Sequence, residues 1–228
     1  MKEINRGLVD SLFTLPSFAF VGVVFGISGI KQGLGLSNTL LMSVVMFHGA
    51  AQFAALNLMT IGTGIITLLI TVLFINTRYL ICSAGLALYL KDVNMRKIFL
   101  IASMVTTPTF AVAVNRFKKE RGSWNYLLGL HLISYATWII GTTIGIVVGI
   151  KVPLSLQIGM NFAFYSLLIG VLVIGCNHLD QLLNILICGV ISVLTYYVSK
   201  NSIHIVLAPI ITATIMVLGE KWIMGQSE

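Results

Sequence analysis

The stretch "TVLFINTRYLICSAGLALYL", residues 71–90, decides the fold. Thr71 to Ile75 reads as apolar, and so does Leu80 to Leu90 apart from Ser83. Between them stand Asn76, Thr77, Arg78 and Tyr79. Length and hydropathy predict a helix that crosses a bilayer, whose hydrocarbon core is about 30 Å thick. A cation inside such a helix costs at least about 2.5–3.5 kcal/mol, so an intramembrane arginine is a functional candidate by default.

The rest of the chain has the same character. Of 228 residues, 57% are hydrophobic and only 9% charged. A soluble domain carries about 25% charged residues. No ionised side chain lies between Lys31 and Arg78, Arg121 and Lys151, Lys151 and Asp180, or Lys200 and Glu220. Eight hydrophobic segments follow, at about 12–30, 38–59, 62–89, 98–115, 124–150, 154–176, 182–199 and 203–223. The connections are short, which predicts one transmembrane domain over 1–228. No ten-residue alternating stretches of the β-barrel type occur. The fold class is an all-α integral membrane protein, a polytopic helical bundle of seven to eight segments. Lys2 and Arg6 precede the first segment as in a signal peptide, but Pro16 and the lack of an A-x-A site favour a retained helix.

The net charge of +7 is no nucleic-acid signal. The basic residues gather in "KDVNMRK" (91–97) and "RFKKERG" (116–122), and such loops mark the cytoplasmic face. These loops flank a single short segment, 98–115, which carries "VTTPTF". Pro108 removes a backbone donor there. We therefore expect 98–115 to be broken or re-entrant, leaving seven full spans, with the N-terminus outside and the C-terminus inside. A faint repeat accompanies this. "FVGVVFGISG" (20–29) parallels "IIGTTIGIVVG" (139–149), "HGAAQFAAL" (48–56) parallels "IGMNFAFYSLL" (158–168), and Pro108 parallels Pro209. With an odd number of crossings per half, the halves are expected to be inverted repeats, with a site near the midplane on broken helices.

Gly22 and Gly26, and Gly141, Gly145 and Gly149, are spaced for close helix packing. Cys82, Cys176 and Cys188 are scattered through apolar segments, without the spacing of a disulfide framework or metal site. "GISG" (26–29) has the look of an intramembrane serine protease motif. Ser28 would need a histidine within hydrogen-bond reach, and His48, His131, His178 and His204 sit in no partner motif. No catalytic constellation is present, and an enzyme is not expected.

These residues carry a resemblance over nearly the whole chain. The sequence resembles the AzlC family, the large subunit of bacterial branched-chain amino acid exporters. The likeness runs through "LPSFAFVGVVFGISGIKQGLGLSNTLLMSVVMFHGAAQFAALNLMTIGTG", with its G-A-[AS]-Q-F core, "LFINTRYLICSAGLALYL", with an [ND]-x-R-[HY] element, and "SYATWIIGTTIG" (134–145). The resemblance implies export of small neutral, chiefly branched-chain, amino acids across a bacterial cytoplasmic membrane. It also implies a small hydrophobic AzlD-type partner subunit and no cofactor. Many members carry acidic residues where Thr107 and Pro108 stand here, and Asp where Asn161 stands. This chain lacks those buried carboxylates, which family members would use for proton coupling.

The polar residues of the segments are then the site candidates. Arg78 is expected to bind the substrate carboxylate through two parallel hydrogen bonds, or else to bond helix-end carbonyls or snorkel to the interface from a shorter helix. Asn76 and Tyr79 flank it. Gln52 sits beside the small residues Gly49, Ala50 and Ala51 and reads either as an interhelical bond or as a substrate contact. Asn161 and Tyr165 lie one turn apart and read as facing the same cavity. His48 and His131 are proton-coupling candidates, since imidazole changes charge near neutral pH. Each equally fits a bond to a carbonyl. Trp124 and Trp222 read as interfacial anchors.

Overall fold

The structure is a computed structural model that describes residues 2–90, 93–151, 153, 179–199, 208 and 210–216. Every regular element among them is helical, as the sequence predicts. The elements are α1 (Lys2–Ser11), α2 (Leu15–Lys31), α3 (Leu36–Val45), α4 (Gly49–Thr60), α5 (Ile65–Ala87), α6 (Met95–Ala102), α7 (Thr107–Phe117), α8 (Trp124–Lys151) and α9 (Leu179–Ser199). The expected segment 154–176, together with Asn161, Tyr165, Pro209 and Trp222, lies outside the described residues.

Only α5 and α8 are single helices long and apolar enough to span a membrane among the described residues, and α1–α2 together form a third, bent by 61°. A further helix, amphipathic rather than apolar, thus precedes the first apolar run and begins at Lys2. Pro16 sits in the first turn of α2, where its missing N–H breaks no helical bond.

α2 and α8 pack side by side in the same direction. A Cβ on Gly22 would lie 2.8 Å from the Trp138 carbonyl oxygen, one on Gly26 2.8 Å from the Ile146 nitrogen, and one on Gly149 3.1 Å from Ile27 Cα. The glycine stripes act as the sequence indicates, letting two backbones touch. Their direction corrects the repeat. Segments 20–29 and 139–149 run parallel, whereas equivalent helices of inverted repeats run antiparallel. Parallel halves related by an axis along the membrane normal fit this pair instead.

Two helix pairs double back on themselves. In 95–117 the chain enters as α6, breaks at Ser103–Thr106 and returns as α7. Both ends of the pair lie at one end of the bundle. Lys97 Nζ sits 5.6 Å from the Trp124 ring centre, and Phe117 packs on Tyr126 and Tyr89 at 5.5 and 5.8 Å. The expected break is therefore present, but Pro108 does not make it. Pro108 opens α7 in its first turn, one step after the gap.

The second pair is a correction. Segment 38–59 was expected to be a full span, yet it breaks at Met46–His48 into α3 and α4. Thr39, early in α3, packs on Gly29, and Thr60, which ends α4, donates to Gln32 Oε1 at 2.8 Å. Both ends thus sit at the C-terminal end of α2. Met46 and His48 are extended there, with ψ of 95° and 96°. No proline marks the gap, and Gly49, which follows it, is one small residue in an apolar run, so periodicity alone reads one continuous segment.

This changes the topology. With 36–60 re-entrant, the N-terminus falls at the same end as the basic loops, not opposite them. Arg6 lies 3.6 Å from Glu120 and Arg116 3.3 Å from Asp10. Lys2, Arg6, Arg96, Lys97, Arg116, Lys118, Lys119 and Arg121 then share one end, while Lys31 and Lys151 mark the other. The first half becomes a span plus a hairpin from one face, followed by a span plus a hairpin from the opposite face. Inversion is present inside this half, between 2–60 and 65–117.

Candidate functional site

The two hairpins enter from opposite faces, and their tips meet. His48, at the α3–α4 break, donates from Nε2 to the Val105 carbonyl in the α6–α7 break at 3.1 Å. The carbonyl can only accept, so Nε2 carries the proton. Tyr79 of α5 packs against His48, ring centres 4.2 Å apart. Arg78 donates to the Tyr79 hydroxyl at 2.6 Å, with its guanidinium carbon 4.7 Å from the ring centre. At 1.5 Å per residue, Tyr79 stands about 12 Å from Ala87 and about 21 Å from Ile65 along α5. The junction is therefore near the middle of the apolar layer.

Local sequence explains the tips. The α4 N-terminus has no side-chain cap, so the amides of Gly49, Ala50 and Ala51 lack intrahelical partners. At α7 the Thr106 N–H donates to the Thr109 hydroxyl at 3.0 Å. Both half-helices begin at the midplane and run outwards, so two partially positive helix ends face the junction. Phe18, Phe47 and Trp138 wall the first tip, and the Tyr135 hydroxyl ties it to the Val44 carbonyl at 2.6 Å.

The predicted residues separate into groups. Arg78, Tyr79, His48 and Gly49 come together at or beside the junction. Arg78 is exposed on the flank of α5 and forms no ion pair among the described residues. Asn76, three residues before Tyr79 in α5, has a buried Oδ1 without a partner. Gln52 is wholly buried in a different network. Its Nε2 donates to Ser43 Oγ at 2.8 Å, and Ser43 shares a 2.9 Å bond with Thr142. This is the interhelical role, joining α4, α3 and α8, although Gln52 Oε1 is unpartnered. His131 donates from Nδ1 to the Leu127 carbonyl one turn back at 2.7 Å, leaving Nε2 buried and unpartnered. Neither described histidine bonds Ser28. Trp124 opens α8 at the basic end.

Sequence reasoning missed the Val105 carbonyl, Ser43 and Thr142. A backbone acceptor has no residue signature, and small hydroxyls inside apolar helices usually bond their own turn. Among the described residues no group of histidine, cysteine and carboxylate side chains could hold a metal.

A model of the AzlC protein family matches residues 14–152. An uncharacterized membrane protein of Archaeoglobus fulgidus is 32% identical over 145 residues, 64% of this chain and 62% of its own length. The inner membrane protein YgaZ of Escherichia coli is 25% identical over 143 residues, 61% of this chain and 58% of that one. The branched-chain amino acid transport protein AzlC of Bacillus subtilis is 24% identical over 166 residues, 71% and 64% of the two chains. The chain thus spans about three fifths of the length of these relatives. No solved structure matches it.

Proposed function

The chain belongs to the AzlC family, and from that premise we propose that it is the large subunit of a secondary transporter that exports small hydrophobic, chiefly branched-chain, amino acids. One observation carries the proposal: an arginine without an acidic partner among the described residues stands where two opposed hairpin tips meet. A guanidinium there, beside two helix N-termini, favours a carboxylate. Tyr79 holds the fork by accepting from it, and Asn76 Oδ1 is an acceptor for the ammonium group. Phe18, Phe47 and Val105 are buried beside the junction, so in this reading an aliphatic side chain reaches them only when the tips part. Gln52 and Asn161 are supporting contacts in this reading, Gln52 through its open Oε1.

In this reading the membrane is the bacterial cytoplasmic one, in which the positive-inside rule turns the basic end to the cytoplasm. A small hydrophobic AzlD-type subunit completes the transporter. The exposed apolar face of α5, with Ile66, Leu73 and Ile81 each at least 70% exposed, gives such a subunit or lipid a surface to cover. His48 is the better proton-coupling candidate, since its ring bridges both tips, whereas His131 bonds only its own helix.

Flux of leucine and valine in reconstituted vesicles, with and without the small subunit, tests the reading. Arg78→Lys and Arg78→Gln are expected to assemble and to lose flux. Unchanged flux in both assembled variants would remove Arg78 from the site.

A further inference from the structure

At the basic end, one cluster ties the first helix to the second hairpin. Arg116, near the outer end of α7, lies 3.3 Å from Asp10 of α1 and 2.7 Å from Glu120, with Glu3 at 3.9 Å. Its guanidinium carbon sits 4.6 Å from the Tyr126 ring centre of α8. The Tyr126 hydroxyl also donates to Asp10 at 2.8 Å. Arg6 bonds Glu3 at 2.9 Å and reaches Glu120 at 3.6 Å. Arg116 is the best shielded cation of the set, its side chain 16% exposed. Such a pair is worth more than a surface pair because water screens it less.

We propose that the Asp10–Arg116–Tyr126 cluster is the gate at the basic end, holding α7 seated so that its inner tip stays on His48. α7 is a short rod of 11 residues with Arg116 at one end and the Thr106–Val105 tip at the other. A rod held at both ends can move only when one end is released. Between the ends, α7 turns the small side chains of Thr109 and Ala113 inward, while its third buried residue, Phe117, packs on Tyr89 and Tyr126 at the basic end beside the cluster. Where Phe110 meets α5, Gly85 gives it a smooth surface: a Cβ there would lie 3.4 Å from the ring. A pocket of about 460 Å³, lined by Asp10, Phe13, Val112, Asn115, Arg116, Lys119 and Glu120, lies beside the cluster. It leaves room for the outer end of α7 to swing. Releasing Arg116 from Asp10 lets α7 tilt, withdraws Val105 from His48 and opens the junction towards the basic side. Asp10 and Arg116 are positioning residues in this scheme and touch no substrate.

The gate rests on the transport reading, but its test does not measure flux. Val105, wholly buried at the inner tip, is replaced by Cys in a background lacking Cys82, Cys176 and Cys188. A membrane-impermeant thiol reagent is applied from the basic side. Asp10→Asn and Arg116→Gln are each expected to raise the labelling rate about threefold to tenfold, the net weight of one ordinary, partly solvated hydrogen bond. Tyr126→Phe, which removes one bond to Asp10 and leaves both charges in place, is expected to raise the rate less than either. Rates within twofold of the parent in both single variants would overturn the gate. If these two variants do not accumulate, Tyr126→Phe decides: a raised rate upholds the proposal, and a parental rate overturns it.

Discussion

Gly145→Ala probes one of the closest helix contacts in the bundle. The added methyl would point at the backbone of α2, where Val23 C and Cα lie 2.8 and 2.9 Å from the Cβ position and the Val23 carbonyl oxygen is closer still. An ordinary Cβ contact starts at 3.4 Å, so the helices must separate by at least about half an ångström. No flexible side chain can give way, because every near atom is backbone. Overpacking of this kind costs about 1–3 kcal/mol. Gly189→Ala in α9 is the control, since nothing lies within 4 Å of its Cβ position. There the alanine should be neutral or stabilise by up to about 1 kcal/mol through helix propensity. Thermal unfolding in detergent, with both variants at equal concentration, is expected to lower the midpoint for Gly145→Ala alone. A midpoint for Gly145→Ala at or above that of Gly189→Ala would refute the parallel α2–α8 packing.

Single cysteines at Asn94 and Ser123, and an N-terminal tag, should all be reached from the same side of the membrane, with Gly33→Cys reached from the other. Labelling of Asn94→Cys and Ser123→Cys from opposite sides would contradict the hairpin. Gln52→Met removes an unpartnered buried acceptor and one bond to Ser43, so stability should change by no more than about 1 kcal/mol while substrate affinity falls. A large loss of stability with intact affinity would make Gln52 purely structural. His48→Gln is expected to retain an N–H donor for Val105 and to keep the fold, but to uncouple flux from a pH gradient. His131→Gln should leave coupling unchanged, and the reverse pattern in vesicles would exchange the two roles.

The sequence makes the membrane class legible because charge is nearly absent from long stretches of it. It makes the 98–115 break legible because two basic loops cannot lie on opposite faces without breaking the positive-inside rule. The 38–59 break leaves no such mark. Its flanks carry no opposed charges, and the extended Met46–His48 gap is held by Phe47 packing on Phe18 and Trp138, far apart in the chain. Missing that break also put the N-terminus on the wrong side, since each span counted reverses the end. Arg78 stood out because its cost in an apolar helix is read from one residue. Its position beside His48 was not legible, because that contact depends on a tip from each of two hairpins. Gln52 was legible as buried and polar, but its bond to Ser43 depends on how α3 folds back on α4.

The central claim is that Arg78, where the hairpin tips meet, holds a substrate carboxylate. The direct measurement is the affinity of the purified transporter for leucine and for leucinamide, in the parent and in Arg78→Gln. A charge-assisted fork should make the parent prefer the free acid by about 1.5–3 kcal/mol, roughly 10-fold to 150-fold. Arg78→Gln should bind the two ligands within a few-fold of each other, because the group that distinguishes them is gone. A variant that keeps both its affinity for leucine and the full preference over the amide would contradict the account.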